Sequence, residues 1–495
     1  MATIRDALSR AGVLVAVSDA VPERIAFVTD DSRQVTPGAL FVAVRGAAAD
    51  GHDFLSAAES GGATAAIVEV PARTRLPSLQ VTDGRRAAAI AGAVYYGWPA
   101  QGLRLIAVTG TSGKSTTVSM LRHLFDEPPE TSASLGTLGV VRGSPGTPVA
   151  EIGGLTTPGP IELQRVLRAL ADAGVRTVSM EVSSHALDQQ RVGTVGFEAA
   201  VFTNLSHEHL DYHPTMEAYF AAKARLATLI TPNGVAIVNA DDPAWRDLPR
   251  TPRRISFGMR GAADVMAQSP SYGLGGSRWT LVTPDGRADV TLPLLGDFNV
   301  MNALAAAAAG WALGMPVTTI AERLGSVAQV PGRLEQIWSS PTVLRDYAHK
   351  PDALSRALDA VRPFVPKGGR VITVFGCGGD RDRAKRPVMG RIAQDKSDVV
   401  IITSDNPRTE DPEAILDEIA SGMDGKPGGA KPYERIEDRR AAIGRALDIA
   451  APGDLILLAG KGHETYQIRG TTKYPFDERE IVRELATNRS NTAGR

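Results

Sequence analysis

Eight times in this chain an apolar run of strand length closes on glycine, charge or hydroxyls and then passes into a helical pattern, and no other feature limits its fold as much. Four cases lie in the middle: "LRLIAVTGTSGKSTT", "VRTVSMEVSSHAL", "AAVFTNLSHEHLDYH" and "VAIVNADDP". Four follow later: "VLRDYAHKPDAL", "VITVFGCGGDRD", "VVIITSDNPR" and "DLILLAGKGHE". Strands that alternate with helices pair in parallel and bury both faces, so the rhythm predicts an α/β protein. In such sheets the polar loops converge beyond the carboxyl ends of the strands, where ligands bind.

A length of 495 residues exceeds one hydrophobic core and implies about three domains. The first, residues 1–100, contains "RIAFVTDDSRQVTPGALFVAVRG", two β-rich runs joined by a Pro-Gly turn. The second, 101–331, carries the first four repeats. It adds a hairpin-like excursion, "SRWTLVTPDGRADVTLPL", and a return to helix in "FNVMNALAAAAAGWALG". "QVPGRLEQI" reads as the hinge into the third, 332–495, a second Rossmann-like unit in which "SGMDGKPGGAKP" is expected to form a surface loop.

Charge excludes some partners. Lys and Arg number 54 against 55 Asp and Glu, so a net charge of −1 offers no general attraction to nucleic acid or an anionic membrane. Membrane insertion is not expected either, because no segment reaches the roughly 18 apolar residues that span a bilayer. The apolar run at Gly12–Val17 is short, follows Arg5, Asp6 and Arg10, and has no export-signal cleavage site after it. The single cysteine, Cys377, rules out an intramolecular disulfide and a cysteine-rich metal site, and fits a reducing, cytoplasmic setting.

"VTGTSGKSTT" carries the sharpest chemical signal: a strand runs into a glycine-containing loop and a helix expected to begin at Lys114. Backbone amides and a helix N-terminus attract phosphate. Gly110, Thr111, Ser112 and Gly113 would cradle it, Lys114 would reach the outer phosphates, and the Ser115 or Thr116 hydroxyl a magnesium ion. Val108 stands where the full pattern has glycine, so this is a shortened variant. Glu181 closes another strand, where a carboxylate can hold magnesium or its water.

Other residues stay ambiguous on composition alone. Glu208, His209, Asp211 and His213 read equally as a metal cluster or as a helix cap with solvated histidines. Lys223, on a helix, would ordinarily be a solvated or snorkelling lysine. Arg408 follows the turn formers Asp405-Asn406-Pro407, ahead of Glu410-Asp411-Pro412, which resembles the acidic first turn of a helix. It is either a ligand-binding arginine or a solvated turn residue.

Taken in order, "TGTSGKST", "MEVSSHAL", "TNLSHEHLDYH", "AAKARL", "DYAHKPDAL", "GCGGDRD", "SDNPR" and "GKGHE" resemble the Mur ligases along nearly the whole chain. The resemblance implies a three-domain architecture: an N-terminal UDP-substrate domain, a central P-loop ATPase and a C-terminal Rossmann-like domain that brings an amino acid. It further implies ATP-dependent amide formation through an acyl phosphate, in the branch that adds meso-diaminopimelate to UDP-MurNAc-L-Ala-D-Glu during peptidoglycan precursor synthesis.

Carried over by position, the resemblance makes Asp30, Ser32, Ala47, Ala48 and Ala49 contacts for the UDP-sugar, and Thr156, Thr157, Ser183, Gln189 and Arg191 contacts for its sugar and peptide. Asn302 and Arg333 become nucleotide contacts. Lys223 becomes the lysine that takes up carbon dioxide as a carbamate. With Ser115, Glu181 and His209 it would serve two magnesium ions. Asp405, Asn406, Pro407 and Arg408, with Arg381, Gly460 and Glu464, become the diaminopimelate site, Arg408 holding the distal carboxylate that lysine lacks. Ser112, Glu208 and Leu155 depart from the family's usual asparagine, aspartate and asparagine. Two other classes share parts of the pattern: a folylpolyglutamate-synthase-like ligase, which should lack "SDNPR", and a nucleotide-driven switch, which has no use for Glu181, Lys223 and four converging loops.

Overall fold

The computed structural model describes residues 1–46, 49–150, 154–208, 212–424 and 433–493. Its chain forms two compact units. One holds Met1–Pro270, Arg278–Thr291 and Phe298–Val327, the other Ser271–Ser277, Leu292–Asp297 and Ala328–Arg495.

Two sheets organise the first unit. The smaller has five strands, in the spatial order Leu14–Val17, Ser78–Val81, Ala65–Val68, Ala39–Val42 and Phe27–Thr29. The two β-rich runs around the Pro-Gly turn pair here in parallel, Val28 opposite Leu40. A short 3-10 turn at Ser32–Gln34, capped by the Asp31 side chain, carries the chain back between them.

The larger sheet has eleven strands, and Arg104–Thr109 lies at its centre between Val175–Glu181 and Phe197–Phe202, parallel to both. Alternate residues of these strands, Leu105, Ala107, Val178, Met180, Ala200 and Phe202, share one buried core with Leu163 and Leu167 of the Pro160–Asp172 helix. Each large apolar side chain so buried contributes roughly 1.5–3 kcal/mol, which makes the strand ends stiff supports for loops. The expected excursion appears as neighbouring strands Gly276–Thr283 and Gly286–Leu292, and the chain then enters the Asp297–Ala312 helix.

The second unit has a six-stranded sheet in the order Glu335–Ser339, Thr342–Asp346, Leu455–Ala459, Val371–Phe375, Val399–Ile402 and Tyr433–Arg435. Only the first pair is antiparallel. A separate antiparallel ribbon, Tyr466–Arg469 with Thr472–Pro475, follows the last long strand. Arg439 and Glu478, both fully buried, pair at 2.8 Å, and Arg439 also donates to the carbonyl of Ala459 at 3.0 Å. Part of "SGMDGKPGGAKP", residues 425–432, lies outside the described residues. The helix after "SDNPR" begins at Pro412 with Asp411 as its cap, so Glu410 is not part of its first turn. Arg386 instead draws the Glu410 carboxylate away at 2.8 Å and holds its pKa down to about 2. No helix among the described residues is long and apolar enough to cross a membrane.

Candidate functional site

The central strand of the large sheet ends at Thr109, and the expected helix starts at Lys114, running to Leu124. Between them, Gly113 adopts φ 86°, and a β-carbon there would lie 2.3 Å from the Asn302 side-chain oxygen, so only glycine lets the loop pass that asparagine. The loop is held from the neighbouring strand. Asn204 accepts from the Thr111 amide through its carbonyl at 2.7 Å and from the Ser112 amide through its side chain at 2.9 Å. Thr203 donates to the Ser112 carbonyl at 2.8 Å. Lys114 curls back, its Nζ 2.9 Å from the carbonyls of Gly110 and Thr111. Ser115 and Thr116 are buried in the first turn of the helix.

Lys223 reaches the same loop from the Met216–Ala224 helix, donating to the Gly110 carbonyl at 2.8 Å with its Nζ 4.6 Å from the centre of the Tyr219 ring. It is 1% exposed. Burial, reinforced by the Lys114 charge and opposed by Glu208, holds its ammonium pKa well below the ordinary lysine value. That shift favours the neutral amine over the ammonium. A neutral amine can take up carbon dioxide, and the resulting carbamate reverses the local charge from one that repels a divalent cation to one that attracts it. Among the described residues no three His, Cys, Asp or Glu side chains gather to hold a metal. His209 lies outside the described residues.

Glu181 pairs in register with Val108 and so sits at the same sheet edge as the phosphate loop. Both its oxygens face Thr137, which donates through its amide at 2.8 Å and its hydroxyl at 3.3 Å. Thr157 donates to the Glu181 carbonyl at 2.8 Å and accepts from the Ser183 amide at 3.1 Å. Thr156 lies beside Thr137, their hydroxyls 3.3 Å apart. Arg191 donates to the Thr157 carbonyl at 2.8 Å and, through its outer nitrogen, to the Gln189 side chain at 2.7 Å. Burial lowers the Arg191 pKa, with Tyr212 and Asp30 opposing the shift. This brings Asp30, Thr156, Thr157, Ser183, Gln189 and Arg191 into one region. Ser32 opens the 3-10 turn next to Asp30. Ala49 closes its loop by accepting from the Gly46 amide at 2.9 Å, whereas Ala47 and Ala48 lie outside the described residues. Leu155 is 44% exposed and makes no part of this network.

In the second unit four loops leave the carboxyl ends of parallel strands, as the sequence rhythm requires. Arg408 stands at φ 53°, rare for a residue with a side chain, and donates to the Gly379 carbonyl at 2.8 Å. Asn406 donates to Glu464 at 2.9 Å. Gly460 approaches Asp405 so closely that a β-carbon would lie 2.6 Å from its carboxylate. Burial first, and then Asp405, raises the Glu464 pKa. Pro407 is buried in the loop, and Arg381 is exposed on the loop after Phe375. Arg333 belongs to this unit too, its guanidinium 5.2 Å from the centre of the Tyr347 ring.

Thr137, Thr203, Asn204 and Lys461 were not singled out from sequence. Asn204 and Lys461 lie inside the quoted motifs, but Thr137 in "LGTLG" carries no local signal, since only strand pairing puts it against Glu181.

Three family models match the chain: Mur ligase family, catalytic domain, over residues 24–95; Mur ligase middle domain over 108–310; and Mur ligase, glutamate ligase domain, over 332–462. The chain is 47% identical to UDP-N-acetylmuramoyl-L-alanyl-D-glutamate–2,6-diaminopimelate ligase of Synechococcus elongatus, over 92% of each chain. It is 44% identical to the protein of that name from Geobacter sulfurreducens, over 94% of each. A solved structure bearing the same enzyme name is similar with a TM-score of 0.68 at 34% identity, covering 96% of this chain and 98% of the other. MurF ligase from Thermotoga maritima in complex with ADP shares the fold, with a TM-score of 0.61 at 20% identity over 96% of this chain and all of the other.

Proposed function

The chain belongs to the Mur ligase family, and we propose that it joins meso-2,6-diaminopimelate to UDP-N-acetylmuramoyl-L-alanyl-D-glutamate at the expense of ATP, giving UDP-MurNAc-tripeptide, ADP and phosphate. The observation that carries this reading is the likeness to relatives of that name along nearly the whole chain, at 47% identity to one of them.

On this reading residues 1–100 hold the UDP end, 101–331 the nucleotide and 332–495 the amino acid. The D-glutamyl γ-carboxylate attacks the γ-phosphorus of ATP, the bond to the β–γ bridging oxygen breaks, and ADP leaves an acyl phosphate. The amine of diaminopimelate then attacks the acyl carbon. The tetrahedral adduct loses phosphate and a proton to become the amide.

The chain's part is to position groups and neutralise charge. Lys114 exchanges the loop carbonyls it now holds for outer phosphate oxygens, and the amides of the Gly110–Thr116 segment surround the phosphates. Asn302 and Arg333 complete the nucleotide contacts. Asp30, Ser32, the Ala47–Ala49 loop, Thr156, Thr157, Ser183, Gln189 and Arg191 orient the UDP-dipeptide. Magnesium, two ions on this reading, would be held by Ser115, Glu181, His209 and a carbamate on Lys223, and when bound supplies further charge neutralisation. His209 is assigned a metal or intermediate contact. Arg408, with Arg381, reads the distal carboxylate of diaminopimelate, and Asp405, Asn406, Pro407, Gly460 and Glu464 shape the rest of that site. Nucleotide-activated substrates place the work in the cytoplasm.

The test is ADP release with the UDP-dipeptide and each candidate amino acid. Release that requires meso-diaminopimelate and is poorly supported by lysine is expected. Release indifferent to the amino acid would overturn the assignment.

A further inference from the structure

Lys461 is fully buried between two glycines of "GKGHE", with no part in the contacts assigned above. Its Nζ lies 2.8 Å from the Tyr466 carbonyl, 3.1 Å from the Asn406 side-chain oxygen and 3.4 Å from an Asp405 carboxylate oxygen. An ammonium carries three N–H donors and no acceptor, so these three oxygens use its whole capacity. Burying a lysine charge is costly unless it is paired, and the buried Asp405 carboxylate at 3.4 Å and the Glu464 carboxylate at 3.7 Å supply the pairing.

The consequence for Asn406 is directional. Its side-chain oxygen accepts from Lys461 and from the Ile468 amide at 2.9 Å, so its NH2 group is left to face Glu464. A donor-only neighbour forbids the flipped amide, which would set NH2 against NH3⁺. Asp405 and Arg408 are fastened to the ribbon that Lys461 grips at Tyr466. Gln467 donates to the Asp405 carbonyl at 2.9 Å, the Arg408 amide donates to Ile468 at 3.1 Å, and the Gly470 amide donates to Arg408 at 2.7 Å. Such contacts on both sides of Arg408 are what can hold it in the left-handed region.

We infer that Lys461 is a positioning residue for amino-acid selection: by joining the Tyr466–Pro475 ribbon to Asp405 and Asn406, it sets the orientation of Glu464's partner and of Arg408. This rests on the diaminopimelate reading above. It predicts that Lys461 acts through Arg408 and the Asn406–Glu464 pair and not by touching the amino acid itself.

Two variants test this, Lys461→Met, which keeps length and loses every donor, and Lys461→Gln, which keeps a single amide. Lys461→Met is expected to raise KM for meso-diaminopimelate about tenfold or more while KM for ATP and for the UDP-dipeptide stay within about twofold, with Lys461→Gln in between. Added to Arg408→Ala, it should cost clearly less than its full effect in the parent, because the part that runs through Arg408 is already lost. Should Lys461→Met fail to fold, Lys461→Gln carries the same comparison. An unchanged KM for the amino acid, equal rises for all three substrates, or full multiplication with Arg408→Ala would each overturn the inference. Parent enzyme that releases ADP without regard to diaminopimelate would instead defeat the functional reading, so the two failures are distinct.

Discussion

Lys223 and Gly110 stand 113 residues apart in sequence, yet the Lys223 Nζ donates to the Gly110 carbonyl at 2.8 Å, the acceptor that Lys114 also reaches at 2.9 Å. Two lysine amines on one carbonyl oxygen repel each other as cations. Burial and the Lys114 charge lower the pKa of the buried one, Lys223, which favours the neutral amine that the proposed carbamate requires.

Lys223→Ala should nearly abolish turnover, and high bicarbonate should not restore it, since no amine remains. A small carboxylic acid added in excess should recover part of the rate by supplying the missing oxygen ligand. Steady-state assays at ordinary magnesium check this, and full activity without added acid would remove the proposed metal role.

Lys114→Ala should lower kcat by about 10²-fold or more, because the lost charge stabilises the phosphoryl group most strongly during transfer. Its Nζ lies 2.9 Å from two carbonyls of its own loop, so the unfolding temperature should change little. ADP formation at the parent rate would place the phosphate site elsewhere.

Arg408→Ala should raise KM for meso-diaminopimelate far more than KM for ATP or the UDP-dipeptide, as the contact is remote from the bond being made. Leaving one side of a buried charge contact unpaired costs on the order of 2–5 kcal/mol. Lysine should lose little, so the ratio of kcat/KM for the two amino acids narrows because the preferred substrate worsens. An unchanged ratio would return Arg408 to the role of a turn residue.

His463 predicts an acid weakness in the second unit. Burial first, then Arg333 and Arg345, lowers its pKa from 6.5 to about 4. Unfolded chain takes up the proton below 6.5 while folded protein resists it until about 4, so stability is whole above pH 6.5 and falls as pH drops through that window. The loss reaches up to roughly 3 kcal/mol for a shift of this size. His463→Phe, which keeps a ring against Tyr347, should show a shallower fall in unfolding temperature across the same range. Parallel curves for parent and variant would contradict this.

Much of this protein is legible in its sequence because the signals are local. Apolar runs ending on glycine and charge describe a parallel sheet by themselves, and a lysine followed by two hydroxyls after Gly113 describes a phosphate loop whatever surrounds it. Arg408 on a strand-to-helix loop was equally visible, although the helix begins only at Pro412, where Asp411 caps it and the proline takes its first position. Other properties belong to residues distant along the chain and had to await tertiary structure. A lone lysine on an ordinary-looking helix has no altered proton affinity until burial, Lys114 and Glu208 surround it. Thr137 has no reason to matter until strand pairing sets it on Glu181, and the direction of the Asn406 amide is undefined until Lys461, 55 residues later, offers it only donors. Periodicity and turn chemistry are written in neighbouring residues, whereas desolvation and hydrogen-bond direction depend on which remote groups share a space, and only folding decides that.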